Sequence, residues 1–195
     1  LPYALMAVLV GAALALAGAE MQTILNNPLA SPFTLGVSSA AAFGAALALV
    51  FGMSLPFIPS DWNLPAFAFL FAFASVLLLQ AMARLRGTGV ETLVLFGIAL
   101  VFTFNALVAL VQYVASQEAL QQLVFWSMGS LSRSTWGKLG VLGLVTLIVV
   151  PFSLKASWRM TALRLGEDRA RSFGISVARL RFFSLLRVSL LAATS

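Results

Sequence analysis

The stretch Gly11 to Ser39, GAALALAGAEMQTILNNPLASPFTLGVSS, decides how this chain is read, because it interrupts an apolar run with a fixed turn. Asn26 and Asn27 suit the end of a helix, Pro28 cannot continue one, and Pro32 drives Ser31 towards extended backbone. The backbone between Leu25 and Leu35 therefore leaves helical geometry, and Leu35 and Gly36 open a second apolar run. At bilayer depth, backbone outside a helix is tolerated only where protein or water satisfies its polar groups, so the break belongs at a membrane surface or beside a cavity. The simpler alternative is a plain hairpin between two spans.

Outside this stretch the composition gives the class. The chain is 61% hydrophobic and only 9% charged, with a mean hydropathy of +1.02, beyond the range of soluble domains and characteristic of an integral membrane protein. A spanning helix needs about 20 residues, so 195 residues hold about six spans and their loops. The net charge of +6 does not indicate nucleic acid, since the basic residues sit in short loops without an aromatic platform and fit positive-inside topology instead. Cysteine and histidine are both absent, which excludes disulfides, thiolate sites and imidazole chemistry. The ends, Leu1-Pro2 and Ala193-Thr194-Ser195, fall in apolar runs and read as those of a fragment. Pro2 to Leu25 lacks a basic n-region and cleavage site and reads as a mature span.

Two segments carry a resemblance to a known family. Gly11 to Gly18, Gln22, Asn27-Pro28-Leu29-Ala30, Pro32 and Leu35-Gly36-Val37 resemble the signature of the FecCD-like (BtuC-like) permeases of iron-siderophore, haem and vitamin B12 importers. Leu165-Gly166-Glu167-Asp168-Arg169-Ala170-Arg171-Ser172-Phe173-Gly174 is similar to that family's cytoplasmic coupling segment, here bounded as residues 162–177. The resemblance implies a single all-α transmembrane domain with five full spans and the start of a sixth, part of a ten-span permease. It also implies a separate ATPase subunit that binds the ATP, a substrate-binding protein and a second permease subunit, in a prokaryotic plasma (inner) membrane. Within the coupling segment it places Ala170 and Phe173 towards the ATPase, Arg169 and Arg171 at the rim, and Gly166 and Gly174 as punctuation around Glu167 and Asp168. Ferric siderophore is the expected cargo, with haem and vitamin B12 as alternatives.

The remaining spans follow in order. Tyr3 to Leu25 carries Gly11, Ala15 and Ala19 as a small-residue stripe suited to close packing, and Glu20, read as an interfacial carboxylate reaching water with a polar cavity as the alternative. Leu35 to Gly52 is the second span, with Gly44 on another small face. The loop to Pro65 holds three prolines, Asp61 and Trp62, and suits an external turn. Leu64 to Ala83 alternates Phe67, Phe69, Phe71 and Phe73 as a strand would, but its length requires a helix. Arg84 to Gly89 closes it as a basic, internal loop, and Glu91 opens the next helix. Thr92 to Ala115 is the most polar span, and its Asn105 and Gln112 either line a solute path or hydrogen-bond a neighbouring helix. Ser116 to Gly137 contains a short amphipathic helix near Leu120 to Met128, either at the outer mouth or a plain interfacial linker.

Lys138 to Leu154 is the fifth span, with Gly140 and Gly143 as a close-packing face. Lys155 to Arg181 then holds Lys155, Arg159, Arg164, Arg169, Arg171, Arg179 and Arg181 against Glu167 and Asp168, the strongest inside marker in the chain. Arg187, in the run that begins at Phe182, has to snorkel or face protein.

Catalysis and resident metal have little to work with. The 6 acidic residues are scattered apart from Glu167-Asp168, so no metal or catalytic residues are expected, and no phosphate-binding loop motif is present. The rival from another class is an ion-coupled secondary carrier, for which Glu20 is the one candidate coupling carboxylate. A purely structural membrane subunit is a further rival.

Overall fold

The computed structural model describes residues 1–86, 89–131 and 134–195, with the side chains of 83, 84 and 86 outside the description. The basic loop read at Arg84 to Gly89, and Arg133, therefore lie largely or wholly outside the described residues. All regular structure among those residues is helical: α1 (Pro2–Ile24), a 3-10 turn (Pro32–Leu35), α2 (Val37–Val50), α3 (Ser60–Arg86), α4 (Val90–Tyr113), α5 (Gln117–Ser127), α6 (Trp136–Arg164), α7 (Glu167–Ser172) and α8 (Val177–Thr194). α1, most of α3, α4 and α6 are each long and apolar enough to cross a membrane. α2 has 14 residues, about 21 Å of rise, so the second apolar run depends on the preceding turn for part of its depth.

α1, α6 and α8 pack pairwise into one group, α2, α3 and α4 into another, and α3 against α8 joins the two. One continuous core results, running from Ala13, Ala17, Met21 and Ile24 of α1 through Ala72, Val76 and Leu79 of α3 to Leu185, Val188 and Leu191 of α8. The phenylalanines of α3 follow helical spacing, with Phe67 buried, Phe69 stacked on Phe73, and Phe71 edge-on to Phe43 of α2. α5 is the expected short amphipathic helix; Ser116 caps it by accepting the Ala119 N–H at 3.2 Å, and Leu123 anchors it against Ala45, Ala46, Ala68 and Val111.

Several sequence expectations are corrected by this packing. The stripe of Gly11, Ala15 and Ala19 points outwards, and α1 packs through Ala13 and Ala17, one helical face away. Nothing outside its own helix lies within 4 Å of a Cβ built at Gly140, and one at Gly143 would be in ordinary contact with Leu9 of α1 at 3.8 Å, whereas Gly44 lies directly against the Phe67 carbonyl. The difference is one of rotation: composition shows that small faces exist, and only the neighbours show which face is used.

Helix ends also shift. α3 starts at Ser60, so that Pro65, expected to close the loop, lies inside the helix at its sixth residue. α6 does not stop at Leu154 but continues to Arg164, since Ala156, Met160 and Leu163 form an apolar face that packs with Ala170, Val177 and Leu180 in a second cluster. α8 begins at Val177 for the same reason, ahead of the expected Phe182.

Candidate functional site

The break after α1 is a tightly bonded turn. Asn26 takes a left-handed conformation (φ 45°), the Asn27 N–H returns to the Gln22 carbonyl at 3.1 Å, and the Asn27 side chain accepts the Leu29 N–H at 2.9 Å. This asparagine turn explains the residue type at position 27, which replaces helical bonding with its own local bond. Thr34 then closes the 3-10 turn by donating its hydroxyl to the Ser31 carbonyl at 2.7 Å.

The turn does not end as a surface hairpin. Pro32, Leu35 and Gly36 are buried, and Gly36 sits against Leu100 and Val101, about ten residues and roughly 15 Å into α4. Gly97 of α4 receives Leu35 in the same way. The chain thus re-enters the bundle as a 3-10 turn and a left-handed Gly36 rather than as α-helix, shielded by α4, the form interrupted helical backbone takes inside a membrane protein. Gln22, Pro28 and Leu29 stay exposed, Asn27 is half-buried, and Ala30 is buried.

Gly36 has φ +80°, and a Cβ there would lie 3.0 Å from that of Leu100. Gly36→Ala is expected to lose about 2–4 kcal/mol, from left-handed backbone strain plus overpacking. Gly174→Ala has similar strain at φ +77° but open space around it, and is expected to lose about 1–2 kcal/mol. Unfolding curves of the two full-length variants in detergent check the difference.

α7 is short but sharply defined. Gly166 (φ 109°) opens it, and Gly174 (φ 77°) closes it. The Gly174 N–H bonds the Arg171 carbonyl at 2.9 Å and the Ile175 N–H bonds that of Ala170 at 3.0 Å, the pair that defines a glycine C-cap. The punctuation expected of these glycines is therefore present. The expectation that Ala170 faces outwards is not met: Ala170 is fully buried in the second cluster and holds α7 to α6 and α8. Phe173, 59% exposed, and the exposed Arg169, Asp168 and Arg171 form the free surface.

Two arginines, Arg181 from the basic cluster that marks the inside and Arg187 from the apolar run after it, tie the elements together. Arg181 donates from Nη2 to Glu167 of α7 at 2.6 Å and from Nε to the Ile24 carbonyl at 3.1 Å, the last residue of α1. It thereby links the short helix, α8 and the start of the Asn27 turn, while Glu167 also pairs with Arg171 at 3.3 Å. Deeper in the bundle, Arg187 grips both oxygens of Glu20 at 2.9–3.1 Å and bonds the Ser184 hydroxyl at 2.9 Å. Glu20 is 3% exposed, so the reading of an interfacial carboxylate in water is wrong. Its partner lies 167 residues away in the chain, and neither span alone reveals the pairing. The one sequence signal was that each is an isolated charge in an apolar run, which calls for a partner. Arg187 faces protein, one of its two expected outcomes.

Asn105 and Gln112 are not brought to the same place as these groups. Asn105 is exposed on α4 with Phe102 and Leu95, and Gln112 is partly covered. No neighbouring helix among the described residues faces Asn105 to receive its amide.

These features define a class: a multi-spanning membrane protein, all-helical among the described residues, with a re-entrant proline turn and a short charged helix, two acids followed by two arginines, strapped to its span ends. Comparison with known proteins makes the class specific. The chain belongs to the FecCD transport family, whose model matches residues 1–195. It is 38% identical over 184 residues to the molybdate import system permease protein of Haemophilus influenzae, covering 93% of this chain and 53% of that protein. It is 34% identical over 197 residues to the hemin transport system permease protein of Yersinia pestis, covering 100% of this chain and 59% of that one. Its fold matches a solved inward-facing conformation of an ABC transporter assigned to the metal-chelate type, with TM-score 0.89 and 36% identity over 99% of this chain and 60% of that chain. The chain thus spans rather more than half the length of the relatives it matches.

Proposed function

We propose that this chain is the central part of the permease subunit of a binding-protein-dependent ABC importer, carrying a chelated metal and, by preference, a ferric siderophore. Family membership supports the transport role, and the three relatives above are named for molybdate, hemin and a metal chelate. Within this chain no histidine or cysteine offers a strong ligand that would strip iron from a chelate. The cargo therefore passes as an intact complex, along a path to which the open α4 face with Asn105 and Gln112 contributes together with the second permease subunit.

The observation that carries the mechanism is the Arg181 bridge. ATP is bound and hydrolysed on a partner ATPase, which docks on α7 at the cytoplasmic face marked by the basic residues from Lys155 to Arg181. Movement of α7 reaches α8 and the end of α1 through the Glu167–Arg181–Ile24 contacts, and the two helix groups rock against each other. An external binding protein delivers the cargo. The ion-coupled carrier is not favoured, because both oxygens of its candidate carboxylate, Glu20, are held by Arg187.

The test is uptake by the full-length permease reconstituted with its ATPase and binding protein, comparing ferric siderophores, haem, cobalamin and molybdate. ATP-dependent uptake of a ferric siderophore alone is expected; uptake of another cargo replaces the substrate, and gradient-driven uptake without ATP overturns the mechanism. In the same system, Phe173→Asp is expected to weaken capture of the ATPase about tenfold or more, as loss of an exposed aromatic anchor does. Unchanged capture, measured by co-purification across a dilution series, removes Phe173 from the interface.

A further inference from the structure

Leu35 and Gly36 at the end of the re-entrant turn meet Gly97 and Leu100, one helical turn apart on α4, in a reciprocal interlock. A Cβ added at Gly97 would lie 2.6 Å from Leu35 Cδ2 and 3.0 Å from its Cα, so this glycine makes room for the leucine of the turn. A Cβ added at Gly36 would lie 3.0 Å from Leu100 Cβ and 3.2 Å from the Val101 nitrogen, so here the turn supplies the glycine and α4 the leucine. Each partner fills the space over the other's glycine, and both leucines are buried. A flat apolar contact would let α4 slide past the turn. Close-packed side chains that interdigitate against backbone resist displacement in either direction.

The other end of the turn is anchored by a charge. Arg181 of α8 is buried and donates to the Ile24 carbonyl at 3.1 Å, at the last residue of α1. From there to Gly36 the backbone has little freedom. The N–H groups of Asn26, Ala30, Thr34 and Gly36 bond the carbonyls of Thr23, Asn27, Ser31 and Phe33 at 3.1–3.3 Å. Pro28 and Pro32 fix two further φ angles, and Ala30 is packed into the main core. A segment bonded along its length in this way moves as one piece. On α4, Gly97 and Leu100 lie across the helix from Leu95, Phe102 and Asn105, which are exposed.

We infer that the turn is a rigid link between α1 and α4, and that Leu35 and Leu100 are the positioning residues through which movement at the Arg181 anchor reaches α4. Displacement of α7 shifts Arg181 and the end of α1, the bonded turn carries the shift to the interlock, and α4 follows with the face that bears Asn105. The rival route is α3 against α8, which also joins the two helix groups. That route bypasses the turn, so under it α4 responds even when the interlock is emptied. The inference rests on the importer reading above, in which an ATPase docks on α7.

Spin labels test it in the full-length permease bound to its ATPase in lipid nanodiscs. Tyr113→Cys at the last residue of α4 and Trp136→Cys at the first residue of α6, both exposed, report the separation of the two helix groups by double electron–electron resonance. A non-hydrolysable ATP analogue is expected to change that separation by about 2 Å or more in the labelled parent. Leu35→Ala and Leu100→Ala each empty one half of the interlock and are expected to cut the change to less than about a third, whereas Leu35→Met refills the gap and keeps it. Only complexes that co-purify with the ATPase are measured, so a loss of folded protein does not enter the reading. A full response in either alanine variant overturns the link in favour of the α3–α8 route, as does a parent that holds the ATPase yet shows no change at α4. A parent that captures no ATPase overturns the importer reading itself, and the link with it.

Discussion

A Glu20→Met permease is expected to lose about 3–5 kcal/mol of stability, because the substitution leaves the Arg187 guanidinium buried without its counter-charge. The carboxylate accepts three hydrogen bonds from Arg187 at 2.9–3.1 Å, and the Ser184 hydroxyl is too small to replace it. α1 and α8, far apart in sequence, lose the polar contact that sets their register. The pair itself is a different matter. Glu20→Met combined with Arg187→Met removes both charges and substitutes flexible apolar chains of similar length, so most of the loss should return. A denaturant titration of the full-length protein in detergent, run on both single variants and the double, measures this as a coupling energy. A double variant as unstable as the sum of the singles would show that the two residues act separately.

Gly44→Leu is expected to cost more than about 3 kcal/mol and to deplete assembled permease from the membrane. A Cβ at position 44 would stand 2.4 Å from the Phe67 carbonyl oxygen and 2.8 Å from its carbon. Both atoms belong to the α3 backbone, so no rotamer change relieves the clash and the helices must separate. Gly44→Ala sets a gain of about 1 kcal/mol in helix propensity against the same clash, and the clash is expected to win. Gly140→Ala is the control, since nothing lies within 4 Å of its Cβ position and only the propensity gain remains. Membrane abundance and unfolding midpoints of the three variants should therefore rank Gly140→Ala above the parent, then Gly44→Ala, then Gly44→Leu. A neutral Gly44→Ala would mean that α2 and α3 separate at little cost.

Much of the architecture was legible in the residues because it depends on local chemistry. Apolar runs long enough to span, the Asn27-Pro28 break, the amphipathic segment after Ser116 and the glycines around α7 each encode their structure within a few neighbours. The outward aim assigned to Ala170 failed for an equally physical reason. A short helix between two glycines can present either face, and the side that turned inwards was chosen by Met160, Leu163, Val177 and Leu180 on other elements.

Helix faces and charge partners were decided by tertiary structure alone. Gly11, Ala15 and Ala19 form as good a small stripe as Ala13 and Ala17, and sequence spacing cannot rank two faces of one apolar helix. Arg181 read as one more positive charge in the inside cluster, and Arg187 as a charge in an apolar run that had to snorkel or face protein, until the fold set one against Ile24 and Glu167 and the other against Glu20. By itself, then, the sequence determined that this is a membrane bundle of the FecCD transport family, where the spans break and which short segment is capped, because hydropathy, proline and glycine act locally. The tertiary structure decided which faces meet, how deep the turn at Gly36 sits and which charges pair, because those depend on residues brought together from distant parts of the chain.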